Sequence, residues 1–170
     1  MVDAEEVFLQ PAEFLAQAFA GDVPAPDRLW ITADIKPAIR NILGRDLGRL
    51  RQRYWRRGTR SAWILEELGK DQPITTGIVV ENGKVFQVRV LVYRESRGWE
   101  VRYPAFTEQF RGAGLLADDR LDRPIDGITG ATLSVRALTR IARVALFLDS
   151  RIDSKTSASS GAAGLQDAQP

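Results

Sequence analysis

The stretch Pro73-Ile74-Thr75-Thr76-Gly77-Ile78-Val79-Val80-Glu81-Asn82-Gly83-Lys84-Val85-Phe86-Gln87-Val88-Arg89-Val90-Leu91-Val92-Tyr93-Arg94 decides the fold. Two β-branched runs flank Asn82-Gly83, a dipeptide that tolerates positive φ at both positions and so closes a two-residue hairpin. In the second run Phe86, Val88, Val90 and Val92 alternate with Gln87, Arg89 and Leu91, which predicts one clearly buried face and one mixed face. Just upstream, 50–57 and 61–68 repeat the period of two around Gly58-Thr59. Four strands in a row joined by short turns read as an antiparallel meander.

Downstream the period changes. Residues 104–110 suit one or two helical turns closed by Gly112 and Gly114, and 115–124 read as an acidic, arginine-rich loop. From 133 to 149, Val135, Leu138, Ile141, Ala142, Ala145 and Leu148 form an apolar stripe opposite Arg136, Arg140 and Arg143, the strongest helical pattern in the chain. Upstream, 11–20 read as a short amphipathic helix with Phe14, Leu15, Ala18 and Phe19 on one side. Val23-Pro24-Ala25-Pro26-Asp27 is a stiff connector and Leu29-Trp30-Ile31 a short strand. Asp34 is expected to cap a helix through Leu43, with Pro37 in the first turn and Gly44 at the stop.

The fold class expected is therefore α+β: an antiparallel meander packed against a C-terminal amphipathic helix, with short N-terminal helices. The expected organisation is an N-terminal helix and linker over 1–27, one domain over 28–152, and a disordered Ser/Ala/Gly-rich tail over 153–170.

Composition removes many chemistries. The 170 residues contain no cysteine and no histidine, and the one methionine is residue 1. That excludes disulfides, iron–sulfur clusters, thiol nucleophiles, imidazole bases and histidine metal ligands. No metal site and no catalytic residue is expected, and redox work has to come from an organic cofactor. A net charge of +2 gives no reason to expect nucleic-acid binding. The chain opens Met1-Val2-Asp3-Ala4-Glu5-Glu6, acidic where a secretory leader would be basic. This is compatible with a cytoplasmic protein or with a mature domain whose leader is left out.

The stretch Asp126-Gly127-Ile128-Thr129-Gly130-Ala131-Thr132-Leu133-Ser134 carries the functional signal. It sets three hydroxyl side chains and two glycines on a turn that feeds the last helix. Two readings are open from residue types alone. One is an ordinary helix cap; the other is an anion cradle, because the first N–H groups of a helix lack partners and sit at the positive end of its macrodipole. The stretch lacks the lysine and the spacing of a P-loop.

That string resembles the flavinylation signature of the FMN-binding domain family, which includes the extracytoplasmic FMN subunits of sodium-pumping NADH:quinone reductase and of Rnf-type complexes. Two further segments resemble the family's in the right order. They are Tyr93-Arg94-Glu95-Ser96-Arg97-Gly98, beside its Glu-Thr-x-Gly turn, and Phe106-Thr107-Glu108-Gln109-Phe110-Arg111-Gly112, beside its Phe-x-x-Gln-Phe-x-Gly segment. The likeness spans roughly residues 73–148. Thr129 replaces the commoner serine, Ser96 a threonine, and Arg97 stands where proline is frequent.

The resemblance implies that a flavin transferase uses FAD and Mg²⁺ to attach FMN to Thr132 as a phosphodiester, with Asp126 part of what the transferase recognises. Gly127, Thr129, Gly130, Ala131, Leu133 and Ser134 complete the implied cofactor site, Ser134 through a hydrogen bond to the phosphate. For the flavin ring the expected neighbours are Glu95, Ser96 and Thr76 on the Thr75-Thr76-Gly77 strand. Trp55, Trp63, Phe106 and Phe110 are divided between stacking on the ring and core packing. The function implied is electron transfer rather than enzymatic turnover, in an extracytoplasmic protein serving a membrane-bound or soluble redox partner. The alternative is a cofactor-free binding or assembly module that works through the arginine-dense 45–60 hairpin. That hairpin reads either as a solvated edge protected by charge or as a docking face for an acidic partner or anionic lipid headgroups.

Overall fold

In the computed structural model, residues 5–163 are described, with side chains through Ile152. The meander consists of β3 (Arg51–Arg57), β4 (Arg60–Leu68), β5 (Pro73–Glu81) and β6 (Lys84–Tyr93), all antiparallel neighbours. Asn82 and Gly83 take φ 51° and 73°, the positive pair that a type I′ turn needs. Two more strands extend the sheet. β1 (Glu6–Val7) pairs with β6 and β2 (Asp27–Trp30) pairs with β3, giving the order β1-β6-β5-β4-β3-β2.

Both faces of the sheet are covered. α1 (Pro11–Ala18) lays Phe14, Leu15 and Ala18 against Trp55, Ala62, Val79, Leu91 and Val92. On the opposite face lie α2 (Lys36–Leu43), α3 (Pro104–Thr107) and the long α4 (Thr132–Ala163). Every residue of the expected α4 stripe is buried, and so are Ala137, Val144, Leu146 and Phe147. The burial is wider than the stripe because residues 115–124 strap the far side. Arg143 Nε donates to Asp119 O at 2.6 Å, and Arg123 donates to the carbonyls of Arg111 and Gly112 at 2.9 Å each. Among the described residues no helix is long and apolar enough to cross a membrane.

α4 is tied to the sheet by a buried polar chain. Trp63 Nε1 donates to Ser61 Oγ at 2.8 Å, and Ser61 Oγ donates to Asp149 Oδ1 at 2.6 Å. On the other face Phe14 sits directly on the backbone of Gly77, where an added Cβ would be 2.6 Å from the ring. Residues 6–18 thus supply an edge strand and the cover of one sheet face.

Three expectations need correction. Phe86 is exposed and not on the buried face, because β6 bulges there: Val80 pairs with Val85 and Val79 with Gln87. The extra residue reverses the alternation, so Val85, Val88 and Val90 face α4, and the Phe86 ring lies under the Arg60 guanidinium at 4.2 Å. Asp34 does not cap α2. Its carboxylate accepts from the Thr32 hydroxyl in a preceding turn, and the helix starts two residues later with Ile35 at the cap position. The arginine-dense segment is not one hairpin at an edge, since β3 lies inside the sheet between β2 and β4. The tail expected from 153 falls on residues without described side chains. The α4 backbone reaches Ala163, and 164–170 lie outside the described residues.

Candidate functional site

The turn before α4 is built on small residues. Ala131 N–H donates to Ile128 O at 2.9 Å, and Gly130 takes φ 82° at the third position, the geometry that a type II turn reserves for glycine. Ala131 is buried against the core and its carbonyl accepts the first helical bond, from Val135 N–H at 2.9 Å. Thr132 is then the first residue of α4, and its side chain is exposed. Among the described residues, the N–H groups of Thr132, Leu133 and Ser134 meet no acceptor. A hydroxyl therefore stands beside three free amides at the positive end of a long helix. Asp126, Gly127, Thr129 and Gly130 are exposed too, and nothing lies within 4 Å of a Cβ placed on either glycine.

Ser134 turns the other way. It is buried, with its hydroxyl 2.9 Å from the Tyr93 hydroxyl, which in turn donates to Arg97 O. With the Tyr93 proton committed to Arg97 O, Ser134 is the donor of the pair. Burial pushes the Tyr93 phenol above its ordinary value, the Ser134 bond opposes that shift, and the Glu95 and Glu100 charges add to it. Gly98 takes φ 81°, and a Cβ there would stand 2.6 Å from Ser134 Oγ and 2.7 Å from Tyr93 OH. The 93–98 turn and the start of α4 thus interlock through atoms that leave room for glycine alone.

A second segment holds the other end of the motif. Gln109 Nε2 donates to Asp126 O at 3.2 Å, and Asp126 N–H donates to Gln109 Oε1 at 2.7 Å. The three resembling segments therefore meet in space: 93–98 braces Ser134, and 106–112 braces Asp126.

The residues expected at the ring lie as follows. Glu95 Oε1 accepts from the N–H groups of Lys70, Asp71 and Gln72 at 2.6, 2.8 and 3.0 Å, organising the β4–β5 turn. Ser96 is exposed on its own turn. Thr76 is fully buried, facing the α4 side, and its Oγ1 has no hydrogen-bond partner among the described residues. Thr75 bonds to Glu66 and Arg94 on the other face. Trp55, Trp63, Phe106 and Phe110 are all core residues. The exposed aromatics beside the motif are Trp99 and Tyr103, packed edge to face at 5.7 Å between ring centres, with Arg102 over both rings. Trp99 follows directly on Gly98, and with Tyr103 it forms an exposed aromatic shelf that sequence reading missed. Trp99 directly after the glycine of a recognised turn is the signal that could have found it.

Comparison with curated proteins and with solved structures gives no match. A family match does exist over residues 69–146, to the FMN-binding domain. It begins at the β4–β5 turn that Glu95 organises and ends within α4, so it takes in every element that braces the motif. Over this segment, a little under half of its length, the chain is similar to the FMN-binding domain family.

Proposed function

We propose that this protein carries FMN covalently on Thr132 and passes electrons between redox partners outside the cytoplasm, without substrate turnover of its own. The observation that carries the reading is the exposed Thr132 hydroxyl beside three unpartnered amides. A phosphodiester there is an anion against ready donors and a helix dipole. The open space around Gly127 and Gly130 gives another protein's active site access to that hydroxyl. In the attachment reaction Thr132 Oγ attacks the FMN phosphorus of FAD and its proton leaves. The P–O–P bond breaks and AMP departs, with Mg²⁺ held by a flavin transferase. FMN supplies reversible electron uptake; the chain's own part is to fix the phosphate, brace the turn through Gln109 and Ser134, and offer the Trp99–Tyr103 shelf to a flat ring.

Neither histidine nor cysteine is present for acid–base or nucleophilic catalysis, which favours a carrier over an enzyme. The motif turn is exposed and open to another protein, which favours the flavin carrier over the cofactor-free module. Co-expression with a flavin transferase tests the proposal. The expected product keeps yellow fluorescence on a denaturing gel and gains the mass of an FMN phosphoester, and Thr132→Ala abolishes both. An adduct that persists in Thr132→Ala overturns the assignment.

A further inference from the structure

The far edge of the sheet carries charge that the protein itself leaves uncompensated. On the α1 side of the β2–β3 ladder, Arg28 stands directly opposite Arg53, and Trp30 directly opposite Arg51. Like charges facing each other across a ladder are unfavourable. Several arginines elsewhere are matched: Arg40 to Asp46, Arg45 to Glu67, Arg57 to Asp22, Arg60 to Glu81 and Arg111 to Glu108. Among the described residues Arg28, Arg49, Arg51 and Arg53 pair with no carboxylate. All four are exposed and line one groove of about 620 Å³ whose floor includes Leu15 and Trp55, and no acidic side chain lines it. At the end of the same ladder the Trp30 indole is 54% exposed, among the largest apolar exposures of the described residues. The Arg51 guanidinium stands 5.7 Å from the Trp30 ring centre, on the face that carries the groove.

The geometry points to a docking surface for an anionic lipid bilayer. Unpaired guanidinium groups meet phosphate headgroups, while the Trp30 indole enters the headgroup–acyl boundary. The half-exposed Trp30 indole beside the unpaired guanidinium groups suits the headgroup–acyl boundary, and an acidic protein partner is the competing outcome of the test below. The surface lies across the sheet from α4, on the face that α1 covers, so it leaves the Thr132 turn free. This inference does not depend on flavin attachment.

Vesicle flotation of the full chain tests it, with phosphatidylcholine vesicles and with the same vesicles containing phosphatidylglycerol. Binding is expected only to the anionic vesicles, weakening as salt rises. It should fall roughly a hundredfold in Arg49→Gln/Arg51→Gln/Arg53→Gln, about fivefold per arginine. Thr132→Ala should bind as the parent does, which separates this result from the flavin proposal. Trp30→Ala should weaken binding and remove the blue shift of indole fluorescence that anionic vesicles cause in the parent. Undiminished thermal stability of the triple variant shows that it is folded. Equal binding by the triple variant, no preference for anionic vesicles, or binding to soluble polyglutamate without any fluorescence shift on vesicles overturns the proposal, the last in favour of an acidic protein partner.

Discussion

The side-chain amide of Gln109 and the main chain of Asp126 form a closed two-bond ring, donating 3.2 Å one way and accepting 2.7 Å the other. An amide is the one neutral side-chain group with a donor and an acceptor spaced to do this. Gln109→Ala therefore frees one end of the 126–131 turn. Both bonds are solvent-exposed, so the stability loss should be small, about 1 kcal/mol. The larger effect falls on flavin attachment, because a mobile turn presents the Thr132 hydroxyl less often. The FMN-to-protein ratio after limited transferase exposure should fall several-fold with little change in thermal midpoint. A ratio equal to that of the parent sinks the idea that the clamp prepares the site.

Ser134 makes a contrasting prediction. Its hydroxyl faces Tyr93 in the core, so Ser134→Ala removes a buried donor and leaves Tyr93 OH with one bond, costing about 1–3 kcal/mol. Tyr93→Phe should cost a similar amount, and the double variant should cost less than the sum, because one bond is counted twice. Denaturant unfolding of the four proteins measures the coupling. Flavin attachment should survive Ser134→Ala, whereas a phosphate ligand at that position would be needed for it.

Much of this site could be read in the chain and some of it could not. Asn82-Gly83 places the central hairpin because its conformational demand is local, and β5 runs over the residues expected, Pro73–Glu81. The α4 stripe is legible because period and burial coincide. Phe86 misled because a bulge is written in the pairing of two strands and not in either one alone. Thr76 misled for a related reason. A threonine in a strand points to either face, and only the register of β5 shows that it points into the core. The clamp by Gln109 is a contact across 17 residues between two recognised segments, and no local pattern announces it.

Alkaline titration should weaken the fold through two buried phenols. Burial, followed by the nearby Asp27 charge, pushes the Tyr54 phenol from 10.0 up to about 12. The folded state thus keeps its proton longer than the unfolded chain does. The contribution to stability is complete below pH 10.0 and is lost progressively as the pH rises toward about 12. Tyr93 is shifted the same way, again by burial first. Unfolding free energy should decline across that window, and Tyr54→Phe should flatten part of the decline. An unchanged slope in Tyr54→Phe would show that the phenol does not drive it.

The chain Trp63–Ser61–Asp149 fixes α4 to β4 far from the motif, yet the motif sits at the N-terminus of that same helix. Ser61→Ala removes the acceptor of a fully buried indole N–H and the donor to a buried carboxylate. The expected cost is about 2–4 kcal/mol, from two buried polar groups each losing a partner. Ser61→Cys keeps the volume but donates more weakly, so it should fall between alanine and the parent. Hydrogen exchange then separates two outcomes. If the helix moves as one body, protection should fall along the described length of α4, including Val135 and Leu138 near the turn. If protection is lost only around Asp149, the two ends of α4 are independent and the motif is held by Tyr93 and Gln109 alone.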